Sequence, residues 1–98
     1  MPQEKTNVME QATERWISLK LLAWKEYQMA INQKGLFPEE LISATNSATY
    51  YYHAGDNNKA IEIATEYLGI AKDTEFYHEL GDILKACFRN VYFDDIDS

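Results

Sequence analysis

From Lys5 to Gln33 the chain contains neither glycine nor proline, and its apolar residues return every three or four positions. A run of that length with that period specifies an α-helix, because strands alternate with period two and loops carry turn residues. Met9, Ala12, Trp16, Leu19, Ala23, Tyr27 and Ala30 mark one face of it. Ile17, Leu21, Trp24 and Ile31 form a second stripe beside the first. So broad an apolar surface needs cover on more than one side, and one helical hairpin hides only part of it. Gly35 supplies the left-handed residue that ends the helix, and Lys34 places a cation near the negative end of its dipole. The first helix is predicted over 5–34.

The remaining punctuation divides the rest of the chain. Pro38 suits the first turn of a second helix, with Glu39 and Glu40 at its positive end. This helix runs to about Ala54 and closes with Tyr50, Tyr51 and Tyr52, which point around most of its circumference. At least one of the three must face away from the hairpin. His53 to Asn57 reads as a tight turn, with Gly55 for positive φ and Asp56 or Asn57 for a cap. A third helix, about 58–71, should bury Ala60, Ile61, Ala64, Tyr67 and Leu68. Asp73 or Thr74 caps a final helix over 74–92, with Phe76, Leu80, Leu84, Cys87, Phe88 and Val91 inward. An acidic tail, 94–98, is expected to fray. No β-hairpin or βαβ signal occurs. The expectation is one all-α domain of about four helices, with an antiparallel hairpin over 38–72.

Apolar residues make up 46% of the 98, enough for a core and against global disorder. The net charge of −7 is unevenly placed: residues 1–34 carry five basic and four acidic side chains, the rest four and twelve. An acidic second half repels phosphate backbones, so no nucleic-acid ligand is expected, whereas a basic protein partner is compatible. Cys87 is the only cysteine, so no internal disulfide can form, and a reducing cytoplasm is the expected home. No secretion signal or membrane-spanning run is read.

The segment Ala48-Thr49-Tyr50-Tyr51, followed by Gly55-Asp56-Asn57-Asn58-Lys59-Ala60-Ile61-Glu62, resembles a tetratricopeptide repeat, a 34-residue helical hairpin. Ala48 stands at a small position of the first helix and Tyr51 at the aromatic position after it. Ala60 stands where a small residue lets the two helices touch. Tyr77, Leu80 and Gly81 look like the opening of a second repeat after a one-residue deletion. The chain departs from the pattern at Ala64 and Tyr67, where the large and small residues are exchanged. It departs again at Lys72, which replaces the closing proline, and at Ala44 in the opening position. The likeness covers about residues 42–86. It implies a ligand groove lined by Ile42, Thr45, Thr49, Tyr52 and His53. The second wall is Phe76, Glu79, Ile83, Ala86 and Cys87 in one register, or Glu75, His78, Asp82, Lys85 and Ala86 in the other. Neither register carries the family's basic carboxylate clamp, so an amphipathic helix, from a partner or from this chain's own first segment, is the ligand implied.

Catalytic chemistry finds little purchase. Glu75 and His78 have the spacing of one di-iron half-site, but the second copy is missing. Cys87 has no histidine near it in sequence, and the glycines stand singly rather than in a phosphate-binding loop. No metal, cofactor or catalytic residue is therefore expected. Aromatic residues instead point to an interface, where tyrosine and tryptophan carry much of the binding energy. The reading is a non-enzymatic protein-interaction module, a small adaptor, chaperone-like or assembly subunit, binding a partner helix or itself as a homodimer. Trp16, Trp24, Tyr50, Tyr52 and Phe76 are its anchors. The alternative is an acidic inhibitor that imitates nucleic acid, with Glu62, Glu66, Asp73, Glu75, Glu79, Asp82 and the terminal aspartates standing in for phosphates.

Overall fold

The computed structural model describes the backbone of residues 2–92 and the side chains of residues 14–92. Four helices follow one another: α1 (Pro2–Asn32), α2 (Glu39–His53), α3 (Asn57–Leu68) and α4 (Glu75–Tyr92). The described chain has no strand, so the fold is all-α. Met9, Ala12 and the acidic tail fall outside the residues whose side chains are described.

The turns follow local chemistry. Gly35 and Gly55 both adopt positive φ, 86° and 81°. Asp56 caps α3 by accepting from the Lys59 N–H at 3.1 Å. Before α4 the work is divided: Asp73 takes the left-handed conformation (φ 70°), and the Thr74 hydroxyl accepts from the Phe76 N–H and donates to the Ala71 carbonyl. Pro38 sits one position before the first turn of α2, as its N-cap. A proline side chain accepts no hydrogen bond, so Glu40 closes this corner instead. Its carboxylate is buried and accepts from the Gly35 N–H at 2.8 Å. Helix α3 stops at Leu68, three residues short of the predicted end.

α1 packs on α2, α2 on α3 and α4, and α3 on α4. The centre is built from small residues. Ala23, Ala30, Ala44, Ala48, Ala54, Ala60, Ala64 and Ala71 are all buried, and the large aliphatic side chains fully enclosed are Leu41, Ile63 and Leu80. Small side chains let helix backbones approach closely. Between α1 and α2 the approach admits a direct bond, from the buried Ser47 hydroxyl to the Ala23 carbonyl at 2.6 Å.

The core differs from expectation at a few positions. Ile63, not anticipated, is buried, while Ile61 and Leu68 are partly buried and pack against the core. Phe88, expected inward, is exposed and stacks on Tyr92 with ring centroids 5.8 Å apart. It lies about 100° round the helix from the buried Cys87, just past the edge of the face that meets α3.

Candidate interaction surface

Ala30, Ala23 and Trp16 lie seven residues apart, hence on one face of α1. The helices α1 and α2 run in opposite directions. The Ser43 hydroxyl donates to the Gln33 side chain at 3.1 Å, Ser47 bonds Ala23, and Tyr50 and His53 reach the level of Trp16. There α2 ends. α1 has 31 residues against 15 in α2, so it continues past its partner. Residue size follows the gap: alanine where the helices touch, tryptophan where the support runs out.

The result is a step between the two helices, with a cleft of about 470 Å³ lined by Arg15, Trp16, Leu19, Tyr50 and His53. Trp16 is 47% exposed. The Lys20 ammonium lies 4.5 Å from the Trp16 ring centroid and 3.3 Å from an Asp56 carboxylate oxygen. On a chain of net charge −7 this cleft has one cationic lining residue, Arg15, and borders the Lys20–Asp56 ion pair. Its chemistry suits an apolar side chain carried next to a carboxylate.

A second cleft, of about 560 Å³, opens at the other end of α2 among Phe37, Pro38, Leu41, Ile70, Phe76 and the acidic Asp73 and Glu75. The binding residues expected from the sequence are therefore divided. Trp16, Tyr50 and His53 come together at the step, Phe76 lines the second cleft, and Trp24 stands apart on another face of α1. Of the remaining groove residues, Ile42 and Glu79 are exposed, and Thr49, Tyr52 and Ile83 are half-buried. Thr45 is buried, 4% exposed, so it is closed to a docking chain. Among the described residues its hydroxyl has no hydrogen-bond partner, and its carbonyl accepts from Thr49 at 2.8 Å. Arg15, Leu19, Phe37 and Ile70 join these surfaces without having been anticipated as binding residues. Only the tertiary offset between helices of unequal length brings Arg15 and Leu19 to Tyr50.

α1 is fastened to the body by polar contacts as well. The Tyr27 hydroxyl donates to Glu66 at 2.9 Å. Burial first, then that hydrogen bond and the charge of Glu66, push the Tyr27 pKa up to about 12 from its ordinary 10. Tyr67 moves in the same direction, chiefly through burial. Because the folded state holds these protons more tightly, their stabilisation is whole below pH 10 and is lost as pH rises towards 12. Tyr27→Phe should flatten that alkaline decline in a urea-unfolding series, leaving only the Tyr67 part. An unchanged slope would show that the Tyr27–Glu66 bond does not hold in solution.

The single cysteine, Cys87, is fully buried, and burial pushes its thiol pKa up. Among the described residues no three metal-ligating side chains come together, and no helix is long and apolar enough to cross a membrane. No family model, characterised protein or solved structure matches this chain.

Proposed function

We propose that the chain is a protein-interaction module, an adaptor or assembly subunit without catalysis of its own, and that the step cleft is its main docking point. One observation carries the proposal: bulk is distributed inside out. Alanines fill the centre, while fourteen large apolar side chains among the described residues are exposed, both tryptophans included. Where such residues are contiguous, as at the Trp16 step and along the second stripe of α1, the exposed apolar surface is of the kind that marks interaction sites. A tetratricopeptide-like α2–α3 unit fits this role. It is supported by the full burial of Ala48 and Ala60 and by the positive φ of Gly55 between the two helices.

The ligand favoured by the cleft is an amphipathic helix that inserts one apolar residue beside an acidic one. Trp16→Ala should weaken binding of the native partner by about 2 kcal/mol, near thirtyfold in Kd, with little change in the melting temperature. Quantitative affinity capture with wild-type and Trp16→Ala protein, repeated at raised salt, checks this. Equal capture by both would remove the cleft from the interface. Binding that collapses with salt would instead favour the acidic surface, whose carboxylates are already partly engaged: Glu66 by Tyr27 and Glu62 by Lys59 at 3.5 Å.

A further inference from the structure

The step cleft leaves the second stripe of α1 without a role. Ile17, Leu21, Trp24 and Ile31 are each about half exposed, and Gln28 sits half-buried among them. Their spacing is four, three, four, three, the a/d pattern by which one helix pairs with another. At about 100° per residue the stripe is centred roughly a third of a turn from Ala23 and Ala30, so α2 does not cover it. Towards the N-terminus the same register falls on the acidic residues Glu14 and Glu10, which confines the seam to two heptads.

We infer that this stripe is a homodimer seam, in which α1 pairs in parallel with α1 of a second copy about a two-fold axis. Gln28 selects both occupant and direction. An apolar partner surface would bury its amide without hydrogen bonds, which is costly. A primary amide carries donors and an acceptor, so two copies of it satisfy one another. In parallel, in-register pairing Gln28 meets Gln28, and a single polar residue at such a position is a known way to fix register and partner number. Antiparallel pairing would set it against an apolar residue of the seam instead. At the flanks Lys25 of one copy borders Lys20 of the other, a like-charge contact. The Asp56 carboxylate, 3.3 Å from the Lys20 ammonium, weakens it without reversing it, so the flanks set the strength of the pairing and Gln28 its register. Four half-exposed large side chains expose on the order of 400 Å² per copy, about half of what each partner buries in a standard interface, so the seam makes a weak, concentration-dependent dimer. Docking on α2 has already ordered the helix, so association does not have to fold it and a short seam suffices.

Sedimentation velocity from micromolar to submillimolar protein should show a concentration-dependent dimer. Leu21→Glu, at an exposed position that folding does not need, should raise the dimer Kd at least about tenfold with unchanged helicity. Gln28→Cys should form an intermolecular disulfide on mild oxidation, since parallel pairing sets residue 28 beside its own copy, whereas the buried Cys87 of the wild type stays reduced. Trp16→Ala should leave the dimer intact, which separates this seam from the step cleft. A monomer throughout, a dimer indifferent to Leu21→Glu, or a dimer in which Gln28→Cys fails to cross-link would each overturn the inference.

Discussion

Leu80→Ala is expected to lower stability by roughly 2–5 kcal/mol, the usual cost of emptying a leucine-sized space in a closed core. Leu80 is fully enclosed and belongs to a cluster whose other members are mostly alanines and two tyrosines, Tyr51 and Tyr67. An alanine methyl contributes little transfer free energy, about 0.8 kcal/mol for a carbon of that size, so the few large aliphatics hold a disproportionate share. A domain of this length has about 5–15 kcal/mol in all, and 1 kcal/mol moves its melting temperature by roughly 4–8 °C. Leu80→Ala should therefore melt about 10 °C or more below wild type by circular dichroism. Leu22→Ala is the control: the same chemical change on an exposed residue of α1 should stay within about 0.5 kcal/mol. Similar melts for both would mean that the alanine faces, not Leu80, carry the core.

Most of the helical order was legible in the residues. A glycine- and proline-free run with a steady three-to-four period leaves one choice of secondary structure, and α1 follows it. Gly35, Gly55 and Asp56 acted as local chemistry requires, because a positive φ or a cap depends on a few neighbouring atoms. The second stripe of α1 could also be read as surplus, and Ile17, Leu21, Trp24 and Ile31 are exposed. Which residues form a common surface could not be read in the same way. Trp16, Tyr50 and His53 meet because α2 stops opposite the middle of α1, and relative helix length and offset are set by packing rather than by period. Thr45 shows the same limit: a helical wheel puts it on the groove face with Thr49, yet in the folded chain it is buried. Glu40 looked like a dipole-complementing surface carboxylate and is instead a buried acceptor for the Gly35 amide, a contact made only once the corner folds.

Ala48→Leu is the converse test, and adding a hydrophobic side chain should here destabilise. Ala48, Ala60 and Ala64 are all fully buried within one cluster, with no accessible surface left at any of them. The extra carbons on Ala48 have nowhere to go unless α2 moves off its neighbours, and forced overpacking of this kind costs typically about 1–3 kcal/mol. The shift would also reach α1, because Ser47 is next in the chain and its bond to the Ala23 carbonyl, at 2.6 Å, has little slack. Ile17→Ser makes the opposite change on the outside, removing apolar bulk from a half-exposed position, and should leave folding within about 0.5 kcal/mol. Denaturant titration of the two variants at one low protein concentration measures both effects without interference from self-association. If bulk is arranged inside out in solution, the leucine variant loses stability and the serine variant keeps it. If Ala48→Leu is neutral, the helices are not pressed together at their alanines, and the large residues outside have room to turn inward.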